Sequence, residues 1–125
     1  MKIRVYYEDT DVGGIVYHTN YLKYCERARS ESFFKRGLSP IINDTHFVVR
    51  KIECEFLSPA YFGDTVEVST SIKEIKKASF ILFQEIKRDQ KVLFISTTTL
   101  VFVKDKKIKR VDKELRDIIL DIWEN

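Results

Sequence analysis

The sequence predicts an α+β fold, in which a five-stranded antiparallel sheet wraps around one long helix. Three observations predict it: one stretch of helical periodicity after residue 20, four alternating apolar and polar segments after residue 46, and short turns between those segments. Because there is only one long helix, it must cover a sheet face to bury its apolar stripe. The length of 125 residues suits one domain over residues 1–125, completed by a short C-terminal helix.

The first strand and the long helix are separated by a polar loop. Residues 3–7 are β-rich and predict a strand through Tyr7, followed by turn-forming residues 8–14. Thr19 or Asn20 is a suitable N-cap for the helix. Gly37 and Pro40 supply its stop signals, so the helix should run for about four and a half turns.

Four consecutive strands with short turns are expected after the helix. They cover residues 46–56, 66–72, 80–86 and 92–103, and Asp112 then caps the last helix. The segment 92–103 is apolar on both faces, from which we expect self-association. It is too short to span a bilayer, so no membrane span is predicted.

Composition excludes several classes of function. Twenty-two basic and nineteen acidic residues leave a net charge of +3, too small for a nucleic-acid-binding surface. Cys25 and Cys54 suggest buried thiols in a reducing cytoplasm, and the N-terminus has no signal-peptide pattern. With two distant histidines and no nucleotide motif, we expect no metal and no cofactor.

Residues 6–29 carry the most specific pattern in the chain. Tyr7 is followed four residues later by Asp11, then by Gly13-Gly14 and by a Tyr-His-x-Asn-Tyr helix start at residues 17–21. This stretch resembles the 4-hydroxybenzoyl-CoA thioesterase family, and more closely its YbgC-type acyl-CoA thioesterases. The Phe-x-x-Pro-Ala-x-x-Gly-Asp turn at residues 56–64 extends the resemblance over nearly the whole domain.

The resemblance implies the hotdog fold and hydrolysis of an acyl-CoA to a free acid and CoA. It also implies a homodimer that joins its sheets, commonly paired into a homotetramer, with sites at the subunit boundary. Two other functions stay open. One is a binding module for acyl carrier protein or envelope partners, and the other is a dehydratase acting on 3-hydroxyacyl thioesters.

By this resemblance Asp11 is the catalytic carboxylate. A loop aspartate, with an ordinary pKa near ~3.9, is ionised at neutral pH and can attack a carbonyl carbon or activate water. The sequence does not separate these two routes. Spacing alone favours a structural role for Asp11, as an Asx-turn residue before Gly13-Gly14.

Free amides at the helix start would stabilise an oxyanion. The resemblance points to the backbone N–H of His18, whereas the capping residues place the first free amides one or two positions later. The His18 side chain is either a buried histidine bonded to the loop or a group that assists water or the thioester.

Tyr7 either holds the aspartate and lines the acyl site or is an ordinary strand residue. Asn20 and Tyr21 are expected to cap and pack the helix.

Candidate substrate contacts outside this loop are less specific. Lys76, Lys77 and Ser79 are the best local candidates for the CoA phosphates, although a plain solvated turn fits them as well, and residues 104–107 resemble them. An acyl tunnel would be lined by Phe33, Phe34, Phe47 or Phe56, each equally suited to the core.

Glu26 and Glu31 occupy the helix region where a second branch of these enzymes keeps its carboxylate. The nearby Arg27 and Arg29 favour a solvated ion-pair face instead.

Overall fold

A computed structural model describes residues 1–123 and confirms the predicted α+β architecture. Residues 124 and 125, part of the domain predicted over 1–125, lie outside the described residues. A short 3₁₀ helix covers Tyr7–Asp9. In chain order the other elements are β1 (Lys2–Arg4), α1 (His18–Phe34), β2 (His46–Phe56), β3 (Thr65–Ile75), β4 (Phe80–Arg88), β5 (Lys91–Lys104), β6 (Lys107–Lys109) and α2 (Lys113–Trp123).

The strands form one antiparallel sheet in the order β1-β3-β4-β5-β2, and β6 adds to β5. The antiparallel pairing is as predicted, but β2 and β3 are not neighbours although they are consecutive in the chain. The segment 57–64 crosses between them: the amides of Leu57 and Ser58 bond to Leu93 O, and Val5 N donates to Asp64 O at 2.8 Å. This crossing closes the end of the sheet at which α1 begins.

Two local predictions at the N-terminal end were wrong. The strand ends at Arg4 and not at Tyr7, because the Asp9 carboxylate accepts the Tyr6 amide at 2.9 Å and favours a 3₁₀ turn. The helix starts at His18 with Tyr17 as its N-cap, which makes no side-chain capping bond. Asn20 Nδ2 donates instead to Asp9 O at 2.8 Å, so this side chain ties the helix start to the 3₁₀ turn.

The strand β6 was not predicted. Residues 104–107 were expected to be a charged turn, and they do form the turn of the β5–β6 hairpin, in which Asp105 and Lys106 have φ of 52° and 63°. Positive φ at both central positions is typical of tight hairpin turns. The three residues of β6 are too few for an alternating pattern to show.

The buried side chains form two clusters at opposite ends of α1. One surrounds the first half of α1 and includes Tyr21, Tyr24 and Phe94. The other joins the end of α1 to α2, where the rings of Phe80 and Trp123 stack at a centroid distance of 6.0 Å. The first cluster supports the polar loop, and the second holds α2 on the sheet.

The unpaired apolar surface lies on β2. Self-association was expected from residues 92–103, but β5 is an inner strand whose alternate residues are buried between its neighbours. The edge strand β2 exposes Val48, Val49, Ile52 and Phe56 along its eleven residues. A long exposed apolar edge is a ready template for pairing with another chain. Within residues 1–123, no helix is long and apolar enough to cross a membrane.

Replacing Phe80 by alanine should lower the free energy of unfolding by about 3–5 kcal/mol, since it removes a fully buried ring from the second cluster. Urea unfolding measures the change. Phe34→Ala, at a position that is 54% exposed, is the matched control and should change stability little. Equal losses for the two variants would contradict the assignment of Phe80 to the core.

Candidate active site

The start of α1 and the crossing segment 57–64 hold each other in place. Val16 N donates to Ala60 O at 2.9 Å, and Ala60 N donates to Tyr21 Oη at 3.0 Å. From the sheet, Arg88 Nη1 donates to Asp64 Oδ2 at 2.7 Å and to Pro59 O at 3.2 Å. The segment is therefore fixed on both sides.

A cleft of about 340 Å³ lies between these two parts. Its polar groups come from the loop and the helix start, and most of its remaining wall is apolar. The residues that line it are Asp11, Ile15, Val16, His18, Tyr21, Phe56, Leu57, Ser58 and Pro59. A mostly apolar cleft with a few convergent polar groups is the usual form of a small-molecule site.

Asp11 forms the Asx turn that its spacing favours, and it also lines the cleft. Its Oδ1 accepts the Gly13 amide at 2.8 Å, which is an Asx turn. A Cβ at position 13 would lie 3.2 Å from that oxygen, and Gly14 has φ of 78°, so the two glycines let the turn form. The same carboxylate lines the cleft, and among residues 1–123 its Oδ2 accepts no hydrogen bond. The turn thus orients Asp11 and leaves one oxygen available.

Two backbone amides at the helix start have no acceptor within residues 1–123. Asn20 N bonds to Tyr17 O at 2.9 Å, but the amides of His18 and Thr19 make no such bond, and no side chain caps them. These N–H groups lie at the positive end of the helix dipole. They are the groups that can receive a developing negative charge.

The His18 ring packs against its aromatic neighbours. Its centroid is 4.5 Å from that of Tyr17 and 6.1 Å from that of Phe56, in an edge arrangement with the latter. It was considered as a buried histidine, but it is exposed at the cleft.

Tyr21 was expected only to pack the helix, yet it lines the cleft. Burial raises the pKa of its hydroxyl, and the charge of Asp11 adds to this rise. The hydroxyl therefore keeps its proton at neutral pH. Its oxygen already accepts the Ala60 amide, so its own hydrogen remains available for donation.

Tyr7 lies beside a second cleft, of about 520 Å³, which it lines together with Asp11, Val12 and Phe62. Its side chain is 81% exposed, and its ring meets that of Phe62 edge-on at 6.4 Å. The two clefts share Asp11, so the carboxylate lies between them. Tyr7 thus lies near the aspartate, in a 3₁₀ turn and not at a strand end.

Lys76, Lys77 and Ser79 lie away from this cleft. They form the turn between β3 and β4, where Lys76 N donates to Ser79 O at 2.7 Å and Ser79 is buried. Arg88, which contacts the crossing segment, is eight residues beyond Phe80, the first residue of β4, a separation of about 26 Å. The structure does not bring these three residues together with Asp11 in one protomer.

The phenylalanines and glutamates considered from the sequence lie in different parts of the protein. Phe56 lines the cleft, whereas Phe33 and Phe47 belong to the second cluster and Phe34 is exposed. Glu26 and Glu31 line other pockets.

The expected solvated ion-pair face was wrong for Arg29, which is only 7% exposed. Its Nη1 donates to Gln84 Oε1 on the sheet at 2.9 Å, because position 29 lies on the buried face of α1.

Cys25 is buried as predicted, and burial raises the pKa of its thiol to about 11. A protonated thiol is a poor nucleophile. Cys54 is half-buried. Within the described part of the chain, no group of three or more His, Cys, Asp or Glu side chains is arranged to hold a metal ion.

Known proteins are similar to this chain in sequence and fold. Residues 13–95, which include the helix start and the crossing segment, match the model of the thioesterase superfamily. The chain belongs to that superfamily. It is 56% identical over 86 residues to "Acyl-CoA thioesterase YbgC" of Helicobacter pylori, a match that covers 69% of this chain. The matched segment spans 65% of the length of that relative.

Two further proteins extend the similarity along the chain. "Acyl-CoA thioester hydrolase YbgC" of Escherichia coli O157:H7 is 37% identical over 106 residues, covering 82% of this chain and 79% of the relative. A solved structure of a hypothetical protein from Aquifex aeolicus superimposes with a TM-score of 0.88 at 26% identity, covering 95% and 97% of the two chains. The predicted family and its fold are confirmed.

The sequence did not point to the other residues that line the cleft, which are Ile15, Val16, Tyr21, Leu57, Ser58 and Pro59. The Pro-Ala pair of the family's second motif was the available signal, since Ala60 is the residue that both Val16 and Tyr21 contact. Tyr21 gave no separate signal, because a helix tyrosine in an apolar stripe has the same pattern whether or not it borders a cleft.

Tyr21→Phe should lower the free energy of unfolding by about 1–3 kcal/mol, because it leaves the buried Ala60 amide without an acceptor. Chemical denaturation measures this loss. Tyr17→Phe removes a hydroxyl from an exposed ring and serves as the control. A Tyr21→Phe variant as stable as the control would show that this hydrogen bond does not hold the segment.

Proposed function

We propose that this protein hydrolyses acyl-CoA thioesters to the free carboxylic acid and CoA. One observation carries the proposal: an oriented carboxylate, Asp11, shares a cleft with a helix start whose first two amides are free. The names of its relatives, acyl-CoA thioesterase and acyl-CoA thioester hydrolase, support the same reaction.

In this proposal each group of the cleft has a part in the reaction. The thioester oxygen accepts hydrogen bonds from the amides of His18 and Thr19, which stabilise it as it becomes negative. As a general base, Asp11 takes a proton from the water that adds to the carbonyl carbon, and the C–S bond then breaks to give the free acid and the CoA thiolate. As a nucleophile, Asp11 forms a mixed anhydride while the C–S bond breaks and the thiolate leaves, and water then hydrolyses the anhydride to the free acid and restores Asp11. His18 and Tyr21 border the same space and orient the thioester or the water. Tyr7 helps to hold Asp11 from the neighbouring cleft.

The site is proposed to be completed by a second copy of the chain. Basic and acidic residues flank Ile52 on β2, with Arg50 and Lys51 before it and Glu53 and Glu55 after it. Antiparallel self-pairing centred on Ile52 would place Lys51 opposite Glu53 of the partner subunit, which favours the homodimer. Pairs of such dimers would form a homotetramer.

In this antiparallel pairing, the start of β2 in one protomer lies beside the end of β2 in the other. Phe56, at the cleft, would meet the partner's 46–49 segment, so the far end of one protomer approaches the site of the other. On that arrangement Lys76, Lys77 and Ser79 remain candidates for the CoA phosphates. An acyl carrier protein is an alternative thioester carrier, and a reducing cytoplasm suits the two free thiols.

Asp11→Asn should lower kcat/KM for acyl-CoA hydrolysis at least about 100-fold, since an amide neither removes a proton nor attacks. Release of free CoA thiol, measured across short, long and aromatic acyl groups, gives the rates. Asp44→Asn, at an exposed turn position with φ of 62°, is the matched control and should retain activity.

Full activity in Asp11→Asn would refute the role of this carboxylate. Persistent binding of acyl carrier protein with no thiol release by the wild type would favour the binding module, and a new carbon–carbon double bond would indicate a dehydratase.

Ile52→Lys should convert the dimer to a monomer at micromolar concentration, because it places two like charges at the centre of the paired edge. Sedimentation velocity distinguishes the two species. Ile108→Lys, on the exposed face of β6, should leave association unchanged. A wild-type chain that sediments as a monomer would exclude pairing through β2.

A further inference from the structure

A charged side chain lies beneath α1, outside the proposed catalytic cleft. Arg29 is only 7% exposed, and its Nη1 donates to Gln84 Oε1 at 2.9 Å. Gln84 is itself fully fixed, since its Nε2 donates to Cys25 O and to Thr70 Oγ1, both at 3.0 Å. The guanidinium is therefore held in one place by the core.

Most of the hydrogen-bonding capacity of Arg29 is unused. No carboxylate among residues 1–123 forms an ion pair with it, and its Nε and Nη2 donate to no atom in that part of the chain. Among the described side chains, Tyr24 Oη and Trp123 Nε1 are the unpartnered atoms fully closed to solvent, so the free Arg29 nitrogens remain accessible. Burying a charge without a partner costs free energy, and a hydrogen-bond acceptor that reaches the guanidinium would lower that cost.

The accessible space is a pocket of about 300 Å³, here called the Arg29 pocket. Ser30 and Glu26 border it from α1, and Phe47 and Val49 border it from the edge strand β2. Among residues 1–123, Glu26 is the only carboxylate that lines it, and it lies on the exposed side of the helix. Burial lowers the pKa of Arg29, and the charge of Glu26 partly offsets this shift. The pocket thus offers fixed donors next to an apolar strand surface.

We propose that the Arg29 pocket is a second binding site, which takes a hydrogen-bond-accepting oxygen, a hydroxyl or a carboxylate, onto the free N–H groups of Arg29. Planar guanidinium groups are well suited to such acceptors. Two sources supply this chemistry: the far end of an acyl group whose thioester lies at Asp11, or a free carboxylic acid.

The acyl source rests on the proposed function and on pairing through β2. Antiparallel pairing centred on Ile52 sets the 46–49 segment against Phe56 of the partner subunit, so the Arg29 pocket of one protomer would adjoin the catalytic cleft of the other. An acyl group entering from that cleft would place its terminal oxygen at Arg29. The site would then select acyl groups that end in an oxygen over those that end in a methyl group.

The first test compares kcat/KM for hexanoyl-CoA, 6-hydroxyhexanoyl-CoA and adipoyl-CoA. Arg29→Met should lower the ratio of an oxygenated substrate to hexanoyl-CoA at least about tenfold, because a hydrogen bond to a charged group is lost. Ser30→Leu fills the pocket while leaving the Arg29–Gln84 bond in place, and it should lower the same ratio even if Arg29→Met fails to fold. Arg27→Met, on the exposed face of α1, is the matched control and should leave the ratio unchanged.

The second test titrates free adipate into the wild type and both variants by calorimetry, and it needs no hydrolysis. A lower ratio in the first test supports the acyl source, whereas an unchanged ratio with Arg29-dependent adipate binding supports the free acid. Absence of both effects would overturn the proposal, and this includes a result in which Arg29→Met alters only the sedimentation of the protein. A wild type that cleaves none of the three substrates contradicts the proposed function alone, since the titration still decides the pocket.

Discussion

The hydrogen bond from the Ala60 amide to the Tyr21 hydroxyl is the contact on which the site depends. It joins α1 to the segment 57–64, which crosses from β2 to β3 over the start of the helix. Both partners are buried, so neither has water as a substitute. Val16 adds a second bond to Ala60, and Arg88 holds the far end of the segment through Asp64. Without this closure, the cleft beside Asp11 would have only one wall.

The closed end of the sheet explains why the helix begins without a side-chain cap. Asn20 is drawn to the 3₁₀ turn and Tyr21 to Ala60, so no nearby side chain satisfies the amides of His18 and Thr19. In most helices such groups are capped, since free amides weaken the helix start. Here His18 lines the same cleft as an aspartate whose second oxygen is available, and this pairing suits the proposed thioester hydrolysis.

The sequence predicted the elements better than their ends and neighbours. Apolar and polar residues alternate in β3, β4 and β5, and apolar residues recur along one face of α1. These patterns were readable because burial of one face of an element repeats with the period of that element. The start of α1 was misplaced because Asn20 has the composition of a cap but makes a contact eleven residues away, with Asp9. The pairing of β2 with β5 also depends on long-range contacts. Arg29 was expected on the surface because it is charged. Its position, however, lies on the buried face of α1.

At the site, the motif residues Asp11 and His18 were found together, and Tyr7 lies in the adjoining cleft. Their roles rest on whether the two free amides receive the carbonyl oxygen. The direct measurement is the amide proton shift of His18 and Thr19 by NMR when a ketone analogue of an acyl-CoA, which cannot be hydrolysed, binds the protein. Both amide protons should move downfield by a larger amount than any other backbone amide. Saturation with the analogue while both resonances stay in place would contradict the role of these amides.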